Sequence, residues 1–415
     1  MNFADVATAF LRAKLLERCP ALLARAERGL PEFVARPVIG QEDYRADFAR
    51  HNALALGLHQ ARALAQLEAE GGDTGHRGLS FGLSTGTTGE PGVFITSERD
   101  RARWLGSFLA RVLPPALLLR GRAAILLCHD SQLYHQTGGR TTHISLSLGA
   151  EGCARALEEA RPGIVVGPPS ALRRIVEAGG FRRRFPVGLV VTGGEPLWPD
   201  DAALLADAFA APVRQVYQAA EGFFAAACSY GRLHFNTDLV RVERSPIEGA
   251  PDRFVPIITD LVRDGPQRMV RYRTDDVAME ASGPCPCGSA LPSVAGIEGR
   301  LADYPIDPQD RLLLPQDINA VLSPALAGSW FRVTQTDRGI LALELPHAVP
   351  GPQAARAMRL LYELSGMAVT RRTLPSLPLT AKFRRTLRLS PPGTAPLLSR
   401  LQPPVMLSTT SRNAA

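Results

Sequence analysis

The sequence predicts an α/β fold built on a doubly wound, mainly parallel sheet, and three observations predict it. After Gly71, short apolar runs closed by turn residues alternate with segments of helix length, the order that sets parallel strands beneath crossover helices. The 415 residues are enough for one large and one small domain. A hydrophobic share of 45% and a charged share of 21% are those of an ordinary globular protein. The longest apolar runs, around Val112–Leu119 and Ala123–Cys128, are broken by Arg120 and Arg122, so none reaches the ~18 residues of a membrane span.

The elements follow in order. Residues 2–70 read as helix, with apolar side chains at three and four spacing through Phe10, Leu11, Leu15, Leu16, Leu22 and Leu23, and again through Leu54, Leu58, Ala61, Leu64 and Leu67. Strands are predicted at Ala123–Cys128, Gly163–Val166, Gly188–Val191 and Val213–Tyr217. Helices are predicted at Ala150–Ala160, Pro169–Ala178 and Asp200–Ala210. Further on, a turn at Asp337-Arg-Gly339 separates Phe331–Thr336 from Ile340–Leu345 as a hairpin, followed by a helix over Gln353–Ser365 and a strand over Val369–Leu374. The tail after Pro391, rich in Pro, Ser and Thr, is expected to lack fixed structure. In a doubly wound sheet, ligands gather outside the carboxyl ends of the strands.

The residues that look chemical fall there. In Leu83–Gly92, Thr85, Thr87 and Thr88 alternate with Gly86 and Gly89, so hydroxyls and backbone amides are free to turn toward an anion. This is not a Walker loop, because Gly89 is followed by Glu90 and Pro91 rather than by Lys. The third strand runs into Thr192-Gly-Gly-Glu-Pro-Leu197 and the fourth into Tyr217-Gln-Ala-Ala-Glu-Gly222. Cys228, His234, Cys285 and Cys287 offer three sulfurs and an imidazole, a set that suits tetrahedral structural zinc; the competing reading is a Pro-Cys-Pro-Cys-Gly turn with idle thiols. Six cysteines in a chain of this length do not make a secreted disulfide framework, and with no export signal in view a cytoplasmic protein is expected. All but two of the 47 basic residues are arginine, the exceptions being Lys14 and Lys382. A lysine retained against such a bias points to a task that arginine does not perform. The net charge of +7 does not read as nucleic-acid binding, since the arginines are spread along the chain and the short clusters at Arg182–Arg184 and Arg384–Arg385 read as solvated surface.

In their order and spacing these motifs resemble the adenylate-forming superfamily, the ATP-dependent acid-activating ligases. Glu221-Gly-Phe-Phe, Cys228, Gly231-Arg-Leu-His234, Pro256-Ile-Ile-Thr-Asp260, Arg271-Tyr-Arg-Thr-Asp-Asp276, Cys285-Pro-Cys-Gly288 and Gly299-Arg300 are similar, more narrowly, to the phenylacetate–coenzyme A ligase branch and its bacterial aryl-acid-activating relatives. The resemblance implies a large N-terminal domain over 1–299, with doubly wound mixed sheets and a β-subdomain, and a small mobile α+β domain over 300–390. It implies that Ser84, Thr85, Gly86, Thr87, Thr88 and Gly89 hold ATP phosphates, with Thr88 and Glu221 counted beside Lys382 as catalytic. Gly194, Glu195 and Pro196 would flank adenine beside Tyr217, Glu221 would hold magnesium and phosphate, Asp276 the ribose hydroxyls, and Arg300 would start the hinge. Lys382, in Leu377-Pro-Leu-Thr-Ala-Lys382-Phe-Arg-Arg385, takes the place of the catalytic lysine. The region of His129, His135 and His143, with Gln132 and Tyr134, and the segment Gly167-Pro-Pro-Ser-Ala171 would border the acid, expected to be aromatic; each histidine taken alone reads first as a satisfied core residue, and one of them would orient the carboxylate. The acyl acceptor would be the pantetheine thiol of coenzyme A or of a carrier protein. The chain departs from the pattern at Gly92 (commonly Lys), Gln218 and Ala220 (Gly and Thr), Asp275 (Gly), Ala302 (Asp) and Ala381 (Gly). A protein that binds nucleotide or acyl-adenylate without turnover is the alternative those departures favour.

Overall fold

The computed structural model describes residues 2–28, 36–83, 92–128, 139–178, 181, 185–219, 222–389 and 397–407. The N-terminal region is helical as predicted, with helices Phe3–Arg18, Pro20–Arg28, Gln41–Ala46 and Leu58–Ala69. The first is capped by the Asn2 side chain, which accepts the Ala4 N–H, and crosses the helix Glu98–Val112. Gly106 makes that crossing possible, because a Cβ there would lie 2.5 Å from the Val6 carbonyl oxygen.

Among the described residues, thirteen strands form one continuous sheet. Its first half is parallel, ordered Thr141–Ser145, Ala123–Leu127, Ile164–Gly167, Leu189–Thr192 and Val213–Ala219. The four sequence-predicted strands are all there, each shifted by a residue or two. Helices Gly149–Ala160, Pro169–Glu177 and Pro199–Phe209 connect them. Val213–Ala219 is the seam: Val213–Gln215 pair in parallel with Val190–Thr192, whereas Val216–Ala219 pair antiparallel with the next strand, Gly222–Ala227. From there the sheet is antiparallel through Leu233–Phe235, Ser293–Arg300, Asp276–Glu280, Ala250–Asp260 and Val240–Ile247. The two halves bury separate cores, one around Leu126, Val190 and Phe209, the other around Phe224, Phe235, Phe254 and Tyr272. Two further strands, Leu79–Leu83 and Val93–Ser97, pair antiparallel, with Leu83 opposite Val93 at the ends of the Thr/Gly loop.

A second sheet has the order Ala368–Thr373, Ile340–Leu345, Arg332–Asp337 and Thr386–Arg388. The predicted hairpin turn at Gly339 joins its central antiparallel pair, and the outer strands are parallel to their neighbours. Helices Pro315–Ala325 and Gly351–Ser365 supply Ile318, Leu322, Ala357 and Leu361 to its own core.

Two expectations fail. The tail is ordered over residues 397–407: Leu397–Arg400 make a short 3-10 turn, and Val405–Met406 pair with Arg244 and Glu243 at the edge of the large sheet. Composition missed this because three leucines, Leu397, Leu398 and Leu401, pack with Ile247 and Tyr304, and the exposed edge of Val240–Ile247 offers the hydrogen bonds an added strand needs. Nor is the Arg384–Arg385 doublet simply solvated: Arg384 is half-exposed and paired with Asp303, whereas Arg385 is buried, only 4% exposed. It pairs with Asp200 at 2.6 Å and Asp201 at 2.9 Å, donates to Asn319, and lies over the Trp198 and Phe331 rings. Arg385→Met is expected to leave Asp200 and Asp201 with Arg173 alone, which lies 3.6 and 2.7 Å from them, and to lower unfolding stability by about 1–3 kcal/mol, read as a shift in the denaturant midpoint.

Candidate active site

The large sheet's seam, the turn after Leu189–Thr192 and the loop 377–385 face one cleft. Gly194 takes φ +79°, a left-handed conformation that favours glycine, and a Cβ there would come within 3.8 Å of Lys382 Nζ. The lysine thus reaches over the turn that the sequence associates with a flat ligand. Across the cleft, Tyr217 donates from its hydroxyl to Asp276 Oδ2 at 2.9 Å, and Arg300 Nε lies 3.8 Å from Asp276 Oδ1. Burial pushes Asp276 above the usual carboxylate range, with the charges of Arg300 and Lys382 and the Tyr217 hydrogen bond pulling it back. Burial, with the neighbouring carboxylate, holds Tyr217 well above its ordinary value, so the phenol remains a donor. Asp276 is a strand-end residue, opposite Arg300 in the sheet register, and this register brings the two predicted site residues together. Asp275, in the position the motif gives to glycine, adopts φ +61° and accepts from Arg273 Nε at 2.6 Å. The aspartate accommodates the glycine-like turn.

The lysine loop is fastened on every side. Arg174 Nη1 donates to the carbonyls of Leu377 and Pro378 at 3.0 and 3.1 Å. Cys128 Sγ donates to the Thr380 carbonyl at 3.5 Å. Arg384 Nη1 donates to both oxygens of Asp303, at 2.9 and 3.1 Å, which gives Asp303 a partner in the loop. Glu195 is placed at the same junction: its Oε1 accepts the Phe383 N–H at 2.9 Å and the Ser170 hydroxyl at 3.0 Å, and its Oε2 accepts the Ser170 N–H at 3.1 Å. Burial raises its pKa, and these hydrogen bonds and the Lys382 charge oppose the rise. Sequence reasoning missed this junction and the pairing of Arg385 with Asp200 and Asp201. The Arg384–Arg385 doublet was the available signal, read there as surface.

The structure brings Gly194, Glu195, Pro196, Tyr217, Asp276, Arg300 and Lys382 to one cleft. Ser84, Thr85, Gly86, Thr87, Thr88, Gly89, Ala220, Glu221, His129, Gln132, Tyr134 and His135 lie outside the described residues; Gly92, at the exit of the Thr/Gly loop, lines the same cleft. His143 is engaged by the Leu127 carbonyl at 3.2 Å, and Gln218 accepts the Trp104 indole N–H at 3.2 Å.

On the antiparallel half, Cys228, His234, Cys285 and Cys287 converge, their ligand atoms all within 4.8 Å of one another. Cys228 and Cys285 sulfurs are 3.6 Å apart, and Cys287 Sγ is 3.3 Å from His234 Nε2. A tetrahedral ion with bonds of ~2.3 Å to sulfur has ligand–ligand edges of about 3.8 Å, which lies between these short separations and the 4.8 Å limit, so the set fits zinc with small adjustments. The other imidazole nitrogen, Nδ1, faces the Leu291 carbonyl at 2.9 Å, the outer contact that orients a metal-binding histidine. The cluster also touches the N-terminal helix, through Arg18 Nη1 to the Cys287 carbonyl at 2.9 Å and Ala290 N to the Glu17 carbonyl at 2.8 Å.

No protein-family model matches the chain, and no curated protein does. Solved structures do. A 2-hydroxyisobutyryl-CoA ligase in its postadenylation state, in complex with an acyl-AMP, superposes with a TM-score of 0.62 at 17% identity, covering 93% of this chain and 89% of that one. An amide bond synthetase from Marinactinospora thermotolerans gives 0.51 at 17% identity over 73% and 67% of the two chains, and an anthranilate CoA ligase with bound anthranoyl-AMP gives 0.50 at 12% over 73% and 65%. At such identities the likeness is one of architecture, and among the described residues no helix is long and apolar enough to cross a membrane. The chain has the fold of the adenylate-forming ligases.

Proposed function

We propose that the protein activates a carboxylic acid with ATP, forming an acyl-adenylate and pyrophosphate, and passes the acyl group to the pantetheine thiol of coenzyme A or a carrier protein. One observation carries this reading: Lys382, one of only two lysines, meets Gly194 in the cleft closed on its far side by Asp276, Tyr217 and Arg300. A carboxylate oxygen attacks the α-phosphorus in line, and the bond to pyrophosphate breaks. Negative charge crowds in that transition state, so the protein's work is positioning and electrostatic stabilisation. Lys382 bridges the attacking carboxylate and the α-phosphate as a compact point charge. Asp276 accepts the ribose hydroxyls, its geometry fixed by Tyr217. Glu221 and the Thr85–Gly89 loop are assigned magnesium and the outer phosphates. The resemblance to aryl-acid ligases favours an aromatic acid. The Cys228, His234, Cys285 and Cys287 set is assigned a structural zinc, closed by four protein ligands and without a catalytic part.

The test is pyrophosphate release with ATP and magnesium across benzoates, cinnamates, phenylacetate and fatty acids; release with none of them would count against the reading. Asp276→Asn, which keeps shape but gives up one acceptor and the charge, is expected to raise the KM for ATP about 10- to 100-fold, the worth of one or two charge-assisted hydrogen bonds. The pH dependence has a definite sign. Asp276 must be ionised to accept two hydroxyls, and its pKa is raised by burial. Nucleotide affinity should therefore be full above that raised pKa and be lost as pH falls through it, beginning at a higher pH than for an ordinary carboxylate. The Asn variant should show a flat acid limb.

A further inference from the structure

Glu195 does something that its place in a nucleotide-flanking turn does not foretell. Three protein donors converge on its carboxylate: the N–H and hydroxyl of Ser170, at the first turn of the helix Pro169–Glu177, and the N–H of Phe383. The Phe383 nitrogen belongs to the peptide group that Lys382 begins. Where Arg174 grips the loop earlier, at Leu377 and Pro378, and Arg384 and Arg385 grip it later, Glu195 holds the peptide next to the lysine itself. The turn that presents Glu195 is itself fixed, since Gln215 Nε2 donates to the Glu195 carbonyl at 3.2 Å. An anion at a helix start is stabilised by the backbone amides there, so the carboxylate is a firm anchor, already occupied by the protein.

We infer that Glu195 is the positioning residue for Lys382, tying the Lys382–Phe383 peptide to the start of the helix Pro169–Glu177 and so setting the ammonium over Gly194. This rests on the proposed activation step for its catalytic consequence, and on geometry alone for the attachment. Glu195→Ala removes both acceptor oxygens and with them all three hydrogen bonds. Glu195→Gln, with its amide oxygen at the Oε1 place, keeps the Phe383 N–H and the Ser170 hydroxyl and gives up only the Ser170 N–H.

The experiment is amide hydrogen exchange on the full chain, wild type against both variants, together with pyrophosphate release at varied ATP. In Glu195→Ala, exchange in the segment 378–386 should rise about tenfold or more, the loss of one hydrogen bond to a charged group, while the strand Ile340–Leu345 keeps its protection. The kcat should fall about 10- to 100-fold with the KM for ATP within about threefold, because a misplaced lysine weakens the transition state rather than nucleotide binding. Glu195→Gln should restore both exchange and kcat to within a few-fold. Unchanged exchange at 378–386 in Glu195→Ala, or equal impairment in Glu195→Gln, overturns the assignment. If the wild type activates no acid, the activation reading fails by itself, and the exchange pattern still decides whether Glu195 holds the loop.

Discussion

Lys382→Ala is expected to reduce acid-dependent pyrophosphate release by about 10²–10³-fold while leaving the unfolding midpoint nearly unchanged. The rate loss is that of one preorganised charge facing developing negative charge, about 2.7–4 kcal/mol. Stability should survive because the loop is held by neighbours of the lysine: Phe383 through its backbone, Arg384 through Asp303, and Arg385 through Asp200 and Asp201. Lys382→Arg is expected to rescue little. A planar fork is larger than an ammonium and cannot sit as a point charge between two oxygens, and a chain that uses arginine almost everywhere else has kept lysine here. Retention of activity within a few-fold in Lys382→Ala would remove the lysine from the mechanism.

The second large effect belongs to the cysteine cluster. Metal analysis should find about one zinc per chain, and Cys285→Ser or Cys287→Ser should cost about 5 kcal/mol or more of stability, since structural zinc contributes folding free energy directly. The loss should show first in the N-terminal helices, because Leu16 and Leu23 pack on Leu291 and Glu17 and Arg18 bond to the loop that carries Cys287. Strong chelators should lower the melting temperature of the wild type and leave the serine variants unmoved. A metal-free preparation with undiminished stability would reduce the cluster to four neighbouring side chains.

Much of this was legible in the sequence, for physical reasons. Four of the five parallel strands announced themselves because buried parallel strands are continuous apolar runs, whereas the edge strand Thr141–Ser145, with its threonines, histidine and serine, did not. Tyr217, Asp276 and Lys382 fall in short motifs that the resemblance assigns to one site, so their meeting in one cleft was anticipated. The ion pairs that hold the lysine loop were not. Arg385 and Asp200 are 185 residues apart, no local spacing joins them, and a buried arginine has the same letter as a solvated one. Glu195 was visible as a turn residue, but a hydrogen bond to the backbone of Phe383 leaves no mark in the identity of Phe383. The ordered tail was hidden by its composition, because four leucines, one valine and one methionine among many small and polar residues are too few to shift an average.

That tail changes what the second sheet is free to do. The chain enters the sheet from Ser293–Arg300 of the large sheet and, after Thr386–Arg388, comes back to it at Leu397 and Val405–Met406. A body joined at one point swings like a pendulum, whereas one joined at two turns like the handle of a pail. Any reorientation that carries Lys382 out of the cleft has either to keep both attachments or to break the pairing of Val405–Met406 with Arg244 and Glu243.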